Sequence, residues 1–307
     1  MTEADRRPIL CVGALTCDLM LWTPTLPTTP GKHIATSAVT VAAGMAASAA
    51  TAVARLGHPA ALWASVGDDA NGPFLVAEMA REGIDTRWIR TIPGAPSALA
   101  AILLAADGER IVVPHYAPTL LAPPTQVPPI DGGAFAAVMV DVRWPSAAAV
   151  ALDAARLAGV PAILDLDTGP ADVLADLAGR ATLVAASASG AAILTDTADP
   201  ATAARRIAER TGATVMVTAG GDGVVLVTPD ADSPVVVPAF PIRPVDTNAA
   251  GDVFHGALAV AIAEGRPPTS AIRFAAAAAA IKCGRPGGRL GAPTRAEVEA
   301  LLAERPA

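Results

Sequence analysis

Lysine is nearly absent from this chain, whose 307 residues include two lysines, Lys32 and Lys282. Aromatic residues make up 3% of the sequence, and the formal net charge is −7 at pH 7. An acidic surface does not favour binding to nucleic acids or anionic membranes, so we expect neither as a partner. The high alanine content indicates a compositional bias, which makes each remaining lysine a candidate for a specific role.

Cysteines and long apolar segments are also scarce. Cys11, Cys17 and Cys283 form no CxxC pair and no metal-ligand cluster, so we expect reduced and mostly buried thiols. The alanine-rich run at 274–281 is too short to cross a bilayer, which needs about 20 apolar residues. Asp18 interrupts the first apolar run before a signal-peptide core develops. We therefore expect a cytoplasmic location.

Short β-like runs alternate with helical runs along most of the chain. Ile9–Leu15 is the first predicted strand and Gly44–Leu56 the first predicted helix, and the alternation continues to a predicted strand at Val215–Thr218. This order predicts a mainly parallel sheet with helices on both faces.

Two stretches interrupt the alternation, and a third is a loose connection. The segment 18–41 has prolines between extended runs, and 97–115 is typical of a hairpin turned at Asp107 and Gly108. The segment 118–133 is rich in proline and is predicted to be a surface connection.

The most informative segment is VDTNAAGDVFHGALAVA, which begins at Val245. Its small residues precede an apolar helix, so Asp252 is predicted in the first helical turn. The backbone N–H groups of Ala249, Ala250 and Gly251 would be left unpaired there, and an anion could approach them closely. Asp252 could accept the proton of an attacking hydroxyl, although acids are also common in first helical turns. The segment is therefore a candidate site for phosphoryl transfer to an alcohol.

This segment resembles the C-terminal signature of the ribokinase (PfkB) family of carbohydrate kinases, D-T-x-[GA]-A-G-D, at every position from Asp246 to Asp252. The resemblance extends over nearly the full length. It implies a three-layer α/β/α sandwich with a mainly parallel sheet, as one kinase domain over 1–307. A small β-sheet lid would be inserted at about 16–41 and 97–117. A homodimer is expected, because lid edges can pair between subunits.

The resemblance also implies a reaction, in which the γ-phosphoryl group of ATP is transferred to a primary hydroxyl of a sugar. ATP would be bound without a P-loop, because the chain has no GxxxxGK[ST] sequence. On the sugar side, Asp18 matches the acceptor of sugar hydroxyls, and Gly44 matches a glycine at a helix start. The glycine expected before Gly44 is Ala43, and the asparagine expected in that helix is Ser48.

On the nucleotide side, the resemblance implies a glycine turn that includes Thr218, Gly220 and Gly223. It further implies a segment over the adenine that contains Lys282, Gly284 and Gly287. Asp246 would help to bind a monovalent cation such as K⁺.

The family's Asn-x-x-Glu motif should fall at 187–190 and is absent there. Mg²⁺ would then be held mostly by nucleotide phosphates and water, which suits this ion.

Within the family, the chain resembles kinases of 6-deoxy-6-sulfofructose. Lys32 and Arg143 match positions for the sulfonate, an anion that cationic groups recognise well. His115 follows Pro114, where a donor is expected, and would replace that donor if the strand shifts by one residue. Lys32 could equally be a solvated loop residue, and His115 an exposed residue of the lid.

Other functions stay open from the sequence. The substrate could be another ketose, a sugar acid or a nucleoside, as in kinases of the ribokinase, fructokinase or ketodeoxygluconate type. The chain could also be a sugar or nucleotide sensor that has lost turnover. His255, one turn beyond Asp252, is predicted to be a packed neighbour of the site.

Overall fold

Two β-sheets organise the chain in the computed structural model, which describes residues 7–106, 109–130, 134–230 and 233–305. The larger sheet has nine strands in the order β13-β12-β11-β10-β9-β8-β1-β4-β5. Its strands from β5 to β11 pair in parallel, and β12 and β13 add antiparallel pairs at one edge. These strands are β1 (Ile9–Val12), β4 (Ala60–Gly67), β5 (Ile89–Ile92), β8 (Ala137–Val140), β9 (Ala162–Leu166), β10 (Leu183–Ser187), β11 (Thr214–Thr218), β12 (Val224–Val227) and β13 (Val235–Val237).

Helices cover both faces of this sheet, which forms the middle layer of an α/β/α sandwich. One apolar core joins the sheet to α1, α2, α7, α8 and α9, and a second core joins it to α3, α4, α5 and α6. The central strands are continuous apolar runs because both of their faces are buried. The helices are α1 (Met45–Arg55), α2 (Asn71–Arg81), α3 (Pro145–Leu157), α4 (Ala171–Arg180), α5 (Ala188–Thr195), α6 (Pro200–Thr211), α7 (Ala250–Ala263), α8 (Pro268–Cys283) and α9 (Arg295–Glu304).

The smaller sheet has four strands in the order β3-β2-β6-β7. They come from the two segments that interrupt the alternation in the sequence, so the predicted fold class is confirmed. The turn predicted at Asp107 and Gly108 lies outside the described residues. The four strands are β2 (Thr16–Thr23), β3 (Ser37–Ala43), β6 (Leu99–Ala105) and β7 (Arg110–His115). We call this sheet the lid.

The first predicted strand is wrong in its extent. Ile9–Leu15 was predicted as one strand, whereas β1 ends at Val12 and β2 begins at Thr16 in the other sheet. The chain changes direction at Gly13, which has a φ of 141°. A Cβ at Gly13 would lie 2.2 Å from the carboxyl carbon of Asp141, so the turn needs glycine. Asp18 consequently belongs to the lid.

Helix α7 packs very closely on α1. A Cβ added at Gly256 would lie 2.4 Å from the carbonyl oxygen of Ala49 and 2.9 Å from the Cβ of Ala52. The residues of α7 from Val253 to Ala261 are buried, as expected for a helix that is apolar on all sides. This packing fixes the position of the first turn of α7. Within the described ranges, no helix is long and apolar enough to span a membrane.

We expect Gly256→Ala to lower the free energy of unfolding by about 1–3 kcal/mol, because the methyl group overpacks the contact with α1. Chemical denaturation measures this change. Gly179→Ala is the matched control, since Gly179 is also helical and has no atom within 4 Å of an added Cβ. The control should be neutral or more stable by up to about 1 kcal/mol. Equal stability of Gly256→Ala and the wild type would contradict the close packing of α1 and α7.

Candidate active site

A cavity of about 560 Å³ lies between the lid and the carboxyl ends of the central strands. Ligands of open α/β sheets bind at this edge. The lid side is largely apolar and includes Met20, Val41 and Ile102. The opposite side is polar and is formed by the ends of β9, β10 and β11 and by the start of α7. The cavity can therefore hold a small polar molecule under an apolar cover.

The turn before α7 presents backbone N–H groups to this cavity. Ala249 is left-handed, with φ 60° and ψ 13°, which is strained for a residue with a Cβ. The N–H of Ala250 donates to the carbonyl of Thr247 over 3.3 Å, a long bond. Within the described part of the chain, the N–H groups of Ala249 and Gly251 have no backbone acceptor outside their helix. Such a helix end is an anion-binding site.

Asp252 lies in the first turn of α7 and faces the same cavity. Burial raises its pKa well above the ordinary value of 3.8, and the carboxylates of Asp165, Asp141 and Asp167 raise it further. The positive charge of His255 opposes this shift. A carboxyl group in this setting binds a proton readily, which suits a general base.

His255 lies beside the buried carboxylate of Asp165. Its Nδ1 lies 2.9 Å from Oδ2 of Asp165, and both side chains are buried. Burial alone would lower the pKa of His255, but the carboxylates of Asp165, Asp252 and Asp167 outweigh burial and raise it. These carboxylates therefore favour the protonated form of His255, and the structure places it as a buried neighbour of the site, as the sequence predicts.

The carboxylate of Asp141 connects three segments around the cavity. It accepts hydrogen bonds from the N–H groups of Ala14 at 2.8 Å, Ala46 at 2.9 Å and Arg143 at 2.8 Å. Its pKa is about 6, because burial outweighs these bonds. Asp141 thus fixes the loop after β1 and the start of α1.

Asp18 and the start of α1 form the predicted sugar side of the cavity. Burial raises the pKa of Asp18 to about 6, and the hydrogen bond from Thr16, 2.5 Å long, works against this shift. Gly44 has a φ of 104°, and a Cβ there would lie 2.5 Å from the carbonyl oxygen of Ala14. Ser48, at the position of the expected asparagine, also lines the cavity. Asp18, Gly44 and Ser48 are therefore placed for hydroxyl groups.

The three predicted sulfonate residues are not brought together. Arg143 lines the cavity, but its guanidinium already contacts Oδ2 of Asp167 at 2.9 Å and donates to the carbonyl of Thr168 at 2.8 Å. Lys32 is exposed in the loop between β2 and β3 and is not among the lining residues.

The strand register of the lid corrects the prediction made for His115. It lies opposite Leu99, whereas Pro114 lies opposite Ala100. Pro114 and Ala100 line the cavity, so the side chain of His115 belongs to the other face of the sheet. The strand does not shift by one residue, so His115 does not replace the donor expected at Pro114.

A second cavity, of about 530 Å³, adjoins the first. Gly220 and Gly223 line it together with Phe240 and small residues of α8, so it can accept a flat apolar group. Four residues line both cavities and mark their junction: Thr218, Thr247, Ala250 and Gly251. The predicted nucleotide residues Gly220 and Gly223 therefore lie on one side of the N–H groups of the turn and Asp252 on the other, whereas Thr218 lies at the junction.

Three other residues that the sequence predicts near the nucleotide lie outside the second cavity. The side chain of Lys282 is fully buried, and its Nζ lies 2.6 Å from the carbonyl oxygen of Asp246 and 3.2 Å from its Oδ2. Gly284 lines neither cavity, and Gly287 lines the first instead of the second. The nucleotide prediction for Lys282 is corrected, because its ammonium group contacts Asp246 inside the protein and lines neither cavity.

The side chains at the site limit how Mg²⁺ could be held. In the described segments, no group of three or more acidic, histidine or cysteine side chains could hold a metal ion. Oδ2 of Asp167 contacts Arg143, and its Oδ1 accepts from Ser187 at 3.1 Å. Such a site fits an ion held by phosphates and water, as Mg²⁺ commonly is.

Of the carboxylate cluster, only Asp252 is predicted from the sequence. Asp141 directly follows β8, and Asp165 and Asp167 lie at the end of β9. Acids at the carboxyl ends of neighbouring apolar strands are the signal that could have found them. The buried Arg289, which lines the cavity and contacts Glu82 at 2.8 Å, carries no such signal.

Comparisons with known proteins agree with this site. Residues 6–295 match the pfkB family carbohydrate kinase profile. A ribokinase of Bacillus subtilis is 30% identical over 96% of this chain and 99% of its own length. An ATP-dependent ribose-1-phosphate kinase of Halopiger xanaduensis is also 30% identical, over 97% of this chain and 98% of its own. The chain therefore belongs to the pfkB family of carbohydrate kinases and is an ATP-dependent carbohydrate kinase.

Solved structures give the same result for the fold. A protein from Agrobacterium tumefaciens, provisionally described as a ribokinase, has a TM-score of 0.94 and 39% identity over 97% of this chain and 98% of its own. An Arabidopsis thaliana ribokinase complexed with ribose and ATP has a TM-score of 0.82 at 24% identity, over 97% and 99%. The alternative of a non-catalytic sensor is replaced by the kinase assignment.

We expect His255→Gln to move the acid limb of kcat/KM to higher pH by about one unit, because it removes a positive charge beside Asp252. With Asp252 as the expected base, activity would need its ionised form and would be lost as the pH falls through the pKa of Asp252. The wild-type protein and the variant are compared by initial rates across pH. His33→Gln, at an exposed histidine, is the control. An unchanged acid limb in His255→Gln would contradict the coupling between His255 and Asp252.

Proposed function

We propose that this kinase transfers the γ-phosphoryl group of ATP to a primary hydroxyl of a small sugar, with Asp252 as the general base. One observation carries this proposal. The N–H groups of Ala250 and Gly251 lie at the junction of the two cavities, and Asp252 opens on the first. A nucleotide in the second cavity would direct its terminal phosphate to this junction, where the hydroxyl of a sugar in the first cavity meets it.

The chemistry then follows from the residues present. Asp252 accepts the hydroxyl proton as the oxygen attacks phosphorus in line with the departing ADP oxygen. The N–H of Gly251, together with that of Ala250 in place of its long bond to Thr247, stabilises the charge that builds up on the phosphoryl oxygens. Mg²⁺, when bound with the nucleotide, would neutralise part of the charge on the phosphates. The lid excludes water, which competes with the sugar as acceptor.

We propose a neutral pentose or ketohexose, as in kinases of the ribokinase or fructokinase type, as the substrate. Asp18 and Ser48 offer acceptors for hydroxyl groups. Lys32 lies outside the cavity, and the guanidinium of Arg143 is already paired with Asp167. These placements favour hydroxyl recognition over recognition of an anion.

6-Deoxy-6-sulfofructose is the second candidate, and one observation favours it. Arg110 of the lid and Arg143 both line the cavity, so two guanidinium groups border the bound sugar. A sulfonate would need these two groups in place of the predicted Lys32 and His115. The same reasoning extends to phosphorylated sugars and sugar acids, because their anionic groups have related geometry.

We expect Asp252→Asn to lower kcat by about 10²- to 10⁴-fold, because the general base is lost. ADP release is measured with ATP, Mg²⁺ and a panel of ribose, fructose, 6-deoxy-6-sulfofructose, ribose 1-phosphate and 2-keto-3-deoxygluconate. Asp153→Asn, at an exposed acid on α3, is the matched control for charge loss. Activity of Asp252→Asn close to that of the wild type would remove Asp252 from the chemistry.

The same panel decides between the sugars. A preference for ribose or fructose, with KM raised by Asp18→Asn, supports the neutral substrate. A preference for the sulfonate, weakened by Arg110→Gln, supports the second candidate and contradicts the first.

We further propose a homodimer formed through the outer face of the lid. This face exposes Leu19, Leu99, Ile111 and Val113, which are 42%, 42%, 39% and 60% accessible. A second copy is a self-complementary partner for such an apolar surface. Val113→Asp should be a monomer in sedimentation velocity, whereas Leu157→Asp, at an exposed leucine of α3, should keep the wild-type mass. A monomeric wild type would contradict this proposal.

A cytoplasmic location completes the proposal. Cys11, Cys17 and Cys283 are free thiols, and a reducing compartment suits them.

A further inference from the structure

Lys282 is a fully buried cation at the end of α8. Its side chain has no exposed surface, and that of Asp246 is 1% exposed. The ammonium nitrogen contacts Asp246 twice, at 2.6 Å from the carbonyl oxygen and 3.2 Å from Oδ2. A buried charge of this kind is retained only with a partner of opposite charge and with hydrogen bonds. Asp246 supplies both.

The other lone pairs of the Asp246 carboxylate are also used. Oδ1 accepts the N–H of Asn248 at 2.8 Å, and Oδ2 accepts the N–H of Gly288 at 2.9 Å. A metal ion at Asp246 would have to displace these donors and sit beside the ammonium, where two like charges repel each other. The residues present therefore do not fit the monovalent cation that the sequence predicts at Asp246.

We propose that the ammonium of Lys282 takes the place of a monovalent metal ion at Asp246, so that the enzyme works without K⁺. Lysine suits this task because it is a compact point charge, whereas arginine is planar and wider.

The ammonium acts on the reaction through the turn before α7. Asp246 holds the N–H of Asn248, and Asn248 directly precedes the left-handed Ala249. Asp246 also holds Gly288, which lines the first cavity. Lys282 is thus a positioning residue, because it fixes the carboxylate that orients the anion-binding N–H groups. This role rests on the proposed function of the turn.

The first test uses the wild-type enzyme with ATP, Mg²⁺ and its best sugar, in chloride salts of K⁺, Na⁺ and tetramethylammonium at equal ionic strength. We expect rates within about twofold of one another, because the cation is already built in. Activation by K⁺ of about tenfold or more over tetramethylammonium would overturn the proposal.

The second test removes the charge. Lys282→Met keeps the length and apolar stem, and we expect kcat to fall at least about tenfold. K⁺ or NH₄⁺, but not tetramethylammonium, should restore part of this loss in a saturable way. A merely structural role would not give rescue that selects among cations. Arg285→Met, in the same segment, is the control and should show neither loss nor rescue. Full activity of Lys282→Met in tetramethylammonium would overturn the proposal.

A third measurement needs no turnover. Crystals soaked in thallium(I), a heavy stand-in for K⁺, should show no anomalous peak at Asp246 in the wild type. A wild-type peak there overturns the proposal even if Lys282→Met does not fold. Absence of activity on every sugar would instead overturn the proposed function, and the thallium result would still decide the cation.

Discussion

The buried carboxylate of Asp246 is the contact on which the rest of the site depends. It joins the segment before α7 to the loop after α8 through Asn248, Gly288 and Lys282. The turn that it holds contains the left-handed Ala249, a conformation that costs about 1–3 kcal/mol and persists only where its surroundings impose it. This turn sets the direction of its N–H groups and the position of Asp252. Strain here is consistent with a rigid site that is formed before the ligands bind.

Around this anchor, the protein gathers four carboxylates where it must also receive phosphate. Asp141, Asp165, Asp167 and Asp252 all lie at the carboxyl edge of the sheet or facing it. Their mutual repulsion and burial raise the pKa of Asp252, which makes it a better proton acceptor once ionised. The interaction with His255 opposes this rise in the pKa of Asp252.

The sequence allowed the fold class and the central turn to be predicted, because both are local patterns. Alternating runs indicate the layers, and small residues before an acid mark the helix end. Three features depend on long-range contacts and could not be predicted. The change of sheet at Gly13 is imposed by Asp141, which is distant in the chain. The exclusion of His115 from the cavity rests on a strand register, where one residue decides the face. The use of Lys282 inside the protein depends on how α8 packs against the segment before α7.

The most direct test of the account is a crystal structure with a sugar substrate, MgADP and a planar aluminium fluoride, which mimics the phosphoryl group in transfer. We predict that the fluoride anion contacts the N–H groups of Ala250 and Gly251, and that the primary hydroxyl of the sugar lies within about 3.2 Å of a carboxylate oxygen of Asp252. An anion bound away from the turn, or a hydroxyl directed to another acid, would contradict the central claim.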